Sequence, residues 1–175
     1  NNLGDMINQF ETLKQYFTEL GYFNKKYITM IPKFIKNILI LSSNNGAAIH
    51  DFYYALDNNK NHVYVERTMV DVLVQGNMCP SDIINKMTTI DLSPFDIIVI
   101  TRGGGSMEDL WGFNNKELIE CIYNCNKPVL SAIGHMVDTT LIDMVADICA
   151  PTPSLAGQYI VDHNMIYCNK LKQII

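Results

Sequence analysis

The sequence lacks several features that would place the protein in a particular class. It has no apolar run near the roughly 20 residues that a membrane-spanning helix requires. Its amino terminus has no basic patch followed by an apolar stretch, so we expect no secretion signal. The formal net charge is −5, whereas a self-sufficient binder of duplex DNA usually carries a positive excess. Any nucleic acid must therefore be held by a local site or by another module.

The sequence also lacks a cysteine-pair motif and has few arginines. The five cysteines are an odd number without a C-x-x-C pair, so we expect reduced thiols in an intracellular, cytoplasmic protein and no zinc site. Arg67 and Arg102 are the only arginines among basic residues that are otherwise lysine. The abundance of Asn, Ile and Tyr suggests AT-rich coding. In a sequence with this bias, an arginine indicates a role that lysine cannot fill, such as binding a phosphate through two N–H groups of the planar guanidinium.

The apolar pattern that is present predicts an α/β fold. Hydrophobic residues make up 48% of the chain, which is enough for a core. Apolar runs alternate with helical patterns, so we expect a mostly parallel open sheet of about four strands, flanked by helices, with a long C-terminal helix that leaves the core. The predicted strands are 37–42, a segment within 63–74, 95–100 and 128–133. The predicted helices are 3–20, 47–56, 80–87, 115–125, 141–146 and about 155 to the end.

Loops that follow the predicted strands carry the reactive side chains. Because parallel strands all point the same way, these loops gather at one edge of the sheet, where ligands bind. Phosphate-binding, acid and base groups would then converge although they are distant in sequence. In chain order these groups are Ser42, Ser43, His50 and Asp51; Arg102, Gly103, Gly104, Gly105 and Ser106; and His135 and Asp138.

The glycine loop, residues 103–106, predicts an anion site. Without side-chain bulk its N–H groups can approach a ligand, and a loop that leads into a helix favours negative charge. The loop is neither a dinucleotide fingerprint nor a P-loop, because G-x-G-x-x-G and a following Gly-Lys-Ser/Thr are both absent. A tight turn without a ligand is the alternative interpretation. The preceding Arg102 favours phosphate.

His135 and Asp138 lie three residues apart in a turn that enters a predicted helix. That spacing lets the carboxylate orient the imidazole or share a metal ion with it. The alternative is a loop histidine without a catalytic role.

Other polar and aromatic residues have structural interpretations beside the functional ones. For Asp51 the alternative is a solvated carboxylate on a helix. Asp143 and Asp147 are interpreted as caps or surface residues. Trp111 and Phe113 are expected to pack a short helix under the glycine loop rather than to stack on bases.

Three longer segments carry patterns that are more specific than any single motif. They read TRGGGSMEDLWGFN at 101–114, VLSAIGHMVD at 129–138 and ADICAPTPS at 146–154. These segments resemble R-G-G-G-S-x-E-D-L-W-x-F-N, P-V-[IL]-S-A-[VI]-G-H-E-x-D and V-A-D-x-R-A-P-T-P-S of the exodeoxyribonuclease VII large-subunit family. Ser42 and Ser43 with 46–51 resemble the family's first active loop. The likeness runs from about Phe10 to His163.

The resemblance implies hydrolysis of single-stranded DNA from either end, with release of short oligonucleotides. It also implies a small helical subunit that wraps on long helices of the large subunit, and an N-terminal OB-fold that binds the strand. We therefore expect an N-terminal helix and connector (1–33), the catalytic α/β domain (34–153) and the start of a helical arm (154–175). The apolar side of the final helix suggests pairing with the small subunit or with a second copy.

Carried onto this chain, the family's active-site positions fall on Asp51, Arg102, His135 and Asp138. We expect Arg102 and the glycine-loop amides to hold the scissile phosphate, and His135 to act as general acid or base. Asp138 would orient His135, and Asp51 would orient water or a metal. Magnesium suits carboxylates and phosphates, but the resemblance leaves the metal requirement open.

Met136 and Cys149 depart from the family pattern. Met136 stands where the pattern has Glu, and Cys149 replaces a basic residue. Losing a carboxylate could alter the need for metal or weaken activity. Two other functions therefore stay open: a nucleotide- or sugar-phosphate-binding domain that does not cut DNA, and an inactive scaffold that assembles with the small partner.

Overall fold

The computed structural model describes residues 2–24, 30–60, 63–133 and 139–175, which are built around a parallel sheet of five strands. The strands are β1 (Asn37–Ser42), β2 (Glu66–Asp71), β3 (Ile97–Thr101), β4 (Val129–Ala132) and β5 (Ile148–Cys149). Their order across the sheet is β2-β1-β3-β4-β5, and every neighbouring pair is parallel. The predicted α/β fold is therefore confirmed, with one strand more than the four expected.

Helices connect these strands, and two of them begin after a residue whose side chain caps the helix. They are α1 (Asn2–Glu19), α2 (Ala47–Asp57), α3 (Cys79–Thr89), α4 (Lys116–Asn124), α5 (Leu141–Val145) and α6 (Pro153–Ile174), with a 3₁₀ helix at Trp111–Asn114. The Asn115 side chain caps α4 by accepting from Leu118 N, and Thr152 caps α6 in the same way. None of the described helices is long and apolar enough to cross a membrane.

The sheet separates two apolar cores, because successive side chains of a strand point to opposite faces. Leu39 and Leu41 face the core that includes Phe17 of α1 and residues of α3, α4 and α5. Ile38 and Ile40 face the core that α2 and α6 cover. A central strand covered on both faces must be apolar on both, which is why β1 reads as a continuous hydrophobic run.

A glycine sets the close packing of α6 on α2. A Cβ at Gly157 would lie 2.7 Å from the Phe52 carbonyl oxygen and 2.9 Å from Ala55 Cβ, so only glycine fits this crossing. The first half of α6 is anchored there by Ala156 and Ile160, which are fully buried. Its last residues are exposed, so the helix leaves the core as the sequence predicts.

Candidate active site

The strand order produces a crevice at the carboxyl ends of the strands. The chain moves from β1 outward to β2 and then crosses to β3, so the loops after β1 and β3 diverge. A cavity of about 500 Å³ lies at this point. Its walls are Ser42, Ser43, Asn45, Gly46, Ala47, Ala48, the segment 71–75, Arg102 and Gly103. The structure thus brings together two of the predicted loops and adds the segment after β2.

Ser42 forms part of the floor of this crevice. It is buried, and its hydroxyl donates to the Thr101 carbonyl oxygen over 2.6 Å, which ties β1 to β3. Ser43 is half-buried, and its Oγ accepts from Asn45 N at 3.4 Å. The Ser43 hydroxyl proton therefore remains the better candidate for a ligand, whereas the Ser42 proton is used within the fold.

Arg102 joins the glycine loop to the segment after β2. Its Nε donates to the Gly103 carbonyl oxygen at 2.8 Å, and its Nη1 donates to the carbonyl oxygens of Val74 and Asp109 at 3.0 and 3.3 Å. Its Nη2 makes a longer contact, 3.5 Å, with the Gly104 carbonyl oxygen. All four acceptors are uncharged, and no ion pair to this guanidinium occurs within the described residues. The charge acts on the nearby Asp109 carboxylate without a direct ion pair, so the guanidinium can still bind an anion.

Asp109 holds the glycine loop from its other end. Both Ser106 N and Ser106 Oγ donate to Asp109 Oδ2, at 3.2 and 3.0 Å. These bonds, the backbone one first, lower the pKa of the Asp109 carboxyl, and the nearby Arg102 charge lowers it further. A Cβ at Gly105 would come within 3.1 Å of both Arg102 Nη2 and Asp109 Cβ. Glycine at 105 therefore permits this arrangement, in which the donors of Ser106 bind Asp109.

Of the predicted glycine loop, Gly103 lines the crevice, whereas Gly104, Gly105 and Ser106 lie outside its wall. The described structure does not bring the three other predicted catalytic residues to the crevice either. Asp51 is exposed on α2 and lies outside the set of residues that form the crevice wall. His135 and Asp138 lie outside the described residues, in 134–138. The roles of these three side chains therefore stay predictions.

A buried carboxylate lies at the start of α5. Asp143 is only 2% exposed and accepts hydrogen bonds from Ser131 Oγ and from the amide and hydroxyl of Thr140. The expected cap is confirmed, because Thr140 and Asp143 form a capping box at α5. The expectation of a cap or a surface residue is wrong for Asp147, which is only 6% exposed and accepts from Val129 N, at the start of β4, over 2.8 Å. The pattern Thr-x-x-Asp is the signal for such a cap.

The described residues do not form a metal site. Across 2–24, 30–60, 63–133 and 139–175 there is no group of three or more His, Cys, Asp or Glu side chains arranged to bind a metal ion. The five cysteines are thiols rather than disulfides. Burial raises the pKa of Cys79 to about 12, so this residue near the glycine loop is a neutral thiol and not a metal-binding thiolate.

Comparisons with known proteins identify close relatives of this chain. The family model for the exonuclease VII large subunit matches residues 22–174. The exodeoxyribonuclease 7 large subunit of Staphylococcus saprophyticus is 41% identical over 157 residues, which are 90% of this chain and 35% of that protein. The corresponding protein of Oceanobacillus iheyensis is 37% identical over 172 residues, 98% of this chain and 37% of that protein. The chain thus spans about a third of the length of these relatives.

Proposed function

Because the chain belongs to the exonuclease VII large-subunit family, we propose that it is the catalytic core of an exodeoxyribonuclease acting on single-stranded DNA. The reaction is hydrolysis of phosphodiester bonds, with short oligonucleotides as products. The observation that carries the proposal is Arg102, an arginine that forms no ion pair among the described residues, in a crevice where parallel sheets bind ligands.

Arg102 is suited to bind the scissile phosphate. A guanidinium has five N–H donors, and the contacts to carbonyl oxygens use four of them. Nη2 makes the longest of these contacts, to Gly104 at 3.5 Å. We expect the second N–H of Nη2, the donor that these contacts leave over, to bind a phosphate oxygen and to stabilise the charge that develops on it during hydrolysis. The other bonds would keep the guanidinium in place while this happens.

The proposed acid–base residues come from the family resemblance. His135 moves a proton to or from water or the leaving oxygen, Asp138 orients the imidazole, and Asp51 orients water. The negative overall charge is compatible with this function, because a separate strand-binding module can supply the electrostatic attraction for DNA. A protein that acts on bacterial DNA would lie in the cytoplasm.

The exposed end of α6 is the surface that we propose for the small helical subunit. Ile166, Leu171 and Ile174 are exposed there by 59%, 42% and 81%. An apolar stripe of this kind on a helix that leaves the core is suited to pairing with another helix. Self-association through the same stripe is the competing arrangement.

Incubation with labelled DNA tests the proposed activity. The protein, purified with its small-subunit partner, is mixed with end-labelled single-stranded DNA, with and without a chelator. Shortening to oligonucleotides in either condition supports the proposal, and the chelator reports the metal requirement. The variant His135→Ala should abolish cleavage and keep the unfolding midpoint. Unshortened DNA in both conditions, together with tight binding of mononucleotides, would instead identify a nucleotide-binding domain.

A further inference from the structure

A second cavity, of about 200 Å³, adjoins the phosphate crevice. The two cavities are lined by consecutive residues of one segment, because Val74 and Gln75 face the crevice whereas Gly76 and Asn77 face the second cavity. Arg102 Nη1 donates to the carbonyl oxygen of Val74 and to that of Asp109, which lies in sequence between the lining residues Glu108 and Trp111. A ligand held at Arg102 therefore lies next to this cavity.

Two glycines shape the walls of the second cavity. Gly76 has a φ of +84°, a conformation that other residues rarely adopt, and it turns the chain at the cavity edge. A Cβ at Gly112 would touch Cys79 Sγ and Pro80 Cδ at 3.4 Å, so the 3₁₀ helix lies close against the start of α3. The turn at Gly76 and the close packing at Gly112 thus set the shape of the cavity. Its volume is below the roughly 300 Å³ of sites for drug-sized ligands, so it suits one flat ring.

The polar groups around this cavity select against phosphate. Its lining includes the Glu108 carboxylate and the Asn77 and Asn115 amides, and its described lining residues include no cation. Asn115 Oδ1 accepts from Leu118 N at 2.9 Å, so its amide nitrogen is the part left to meet a ligand. Carboxylate and amide groups at the edge of a cleft are the partners that nucleobase edges require.

Trp111 provides the aromatic surface of the cavity. Phe113 is fully buried in the core, as the sequence predicts, but Trp111 is half-buried and lines the cavity. Proteins that bind single strands hold successive bases on aromatic rings beside a positive groove that follows the backbone. Arg102 and Trp111 supply the charge and the ring, at two cavities that are lined by consecutive residues of one segment.

We propose that this second cavity is a nucleobase subsite, in which a base stacks on Trp111 while its phosphate is held at Arg102. The inference rests on the proposed function, since it takes a DNA strand as the ligand. Glu108 accepts a hydrogen bond from the exocyclic amine of cytosine or adenine, whereas thymine has a carbonyl oxygen at that position and is disfavoured. The subsite thus discriminates among bases, which the phosphate contact at Arg102 does not.

The fluorescence of Trp111 measures occupation of this subsite directly, because Trp111 is the only tryptophan of the chain. The protein is titrated with nuclease-resistant phosphorothioate tetramers of dC, of dT and of abasic sugar, which have equal charge. We expect saturable quenching by the dC tetramer, roughly fivefold weaker binding of the dT tetramer, and no quenching by the abasic tetramer. Quenching by the abasic tetramer equal to that by dC, or no quenching by dC, overturns the subsite.

A cleavage assay with unmodified strands separates this inference from the proposed function. Base-dependent quenching without cleavage would support the subsite and contradict the nuclease. Cleavage without base-dependent quenching would support the nuclease and contradict the subsite.

Variants of the lining test the two proposed contacts. Glu108→Ala should reduce dC binding to the dT level, and the matched control Glu66→Ala, an exposed glutamate at the start of β2, should not. Anisotropy of a labelled strand then compares Trp111→Phe, which keeps a ring, with Trp111→Leu, which keeps apolar bulk. We expect about tenfold weaker binding for the Leu variant and a small loss for the Phe variant. Equal affinities of these two variants would overturn stacking on Trp111.

Discussion

The hydroxyl of Ser131, on β4, donates a hydrogen bond to the buried carboxylate of Asp143, on α5. The other oxygen of that carboxylate accepts from the Thr140 amide and hydroxyl at 3.2 and 2.9 Å. Ser131 and Thr140 stand on either side of 134–138, the segment that carries the proposed acid–base pair. Asp143 therefore ties the strand before this segment to the helix after it.

We predict that Asp143→Ala destabilises the protein by about 3 kcal/mol. The substitution leaves the Ser131 hydroxyl and two donors of Thr140 buried without their acceptor, and each buried unsatisfied group costs about 1–3 kcal/mol. Urea unfolding measures the change. The control is Asp162→Ala, which removes an exposed carboxylate on α6 that accepts from Gln158 at 2.8 Å and should cost less than about 0.5 kcal/mol. Equal unfolding midpoints for the two variants would contradict the prediction.

A second prediction concerns the crossing of α2 and α6. Gly157→Ala adds a methyl group 2.7 Å from the Phe52 carbonyl oxygen, and forced shifts in a packed interior cost about 1–3 kcal/mol. The gain in helix propensity, at most about 1 kcal/mol, offsets only part of this cost, so the variant should unfold at lower temperature. Gly4→Ala in α1 should be neutral or slightly stabilising, because the added Cβ would meet no atom within 4 Å apart from its own helix backbone and chain neighbours. Thermal unfolding of both variants tests the difference in sign.

A third prediction compares the two arginines of the chain. Arg102→Lys should lower cleavage of single-stranded DNA by about 100-fold, because the three donors of an ammonium cannot replace the four carbonyl contacts of the guanidinium and also bind phosphate. Arg67 lies near the amino end of the outermost strand β2, and its guanidinium pairs with the Asp57 carboxylate over 2.6 and 3.0 Å. Arg67→Lys should therefore leave cleavage within about twofold of the unmodified protein. Comparable activity of the two variants would remove Arg102 from the proposed mechanism.

The parts of the fold with a strong local pattern could be predicted from sequence. The observed bounds of β1 are those predicted, because a strand buried on both faces has an unbroken apolar run. The limits of β2 could not be fixed, since this edge strand alternates between exposed and half-buried residues. β5 was missed because two residues, Ile148 and Cys149, are too short to show a period.

The candidate site was predictable only where side chains themselves indicate the chemistry. Arg102 was identified by the scarcity of arginine and by its glycine loop, and the structure places it in the crevice. Its partners were not identified, because the acceptors at Val74 and Asp109 are backbone carbonyl oxygens, which any residue supplies. The cavity beside Trp111 could not be predicted, because the sequence does not reveal which side chains border an open space.

The last prediction concerns acid pH and the glycine loop. Hydrogen bonds from the Ser106 amide and hydroxyl lower the pKa of Asp109 below its ordinary value of 3.8. A carboxyl with a lowered pKa in the folded state stabilises the loop above its unfolded pKa, and this contribution is lost as the pH falls through the folded pKa. We therefore expect the fluorescence of Trp111, two residues further on, to change as the pH is lowered below 3.8.

Two matched variants assign this acid transition to one carboxylate. Asp109→Asn keeps an oxygen acceptor for Ser106 but cannot titrate, so it should lack the fluorescence change. Asp91 has its pKa lowered in the same way, by the amide and hydroxyl of Ser93, so Asp91→Asn should retain the change. If Asp109→Asn responded to acid like the unmodified protein, the Ser106–Asp109 contact would not be what orders the loop beside Arg102.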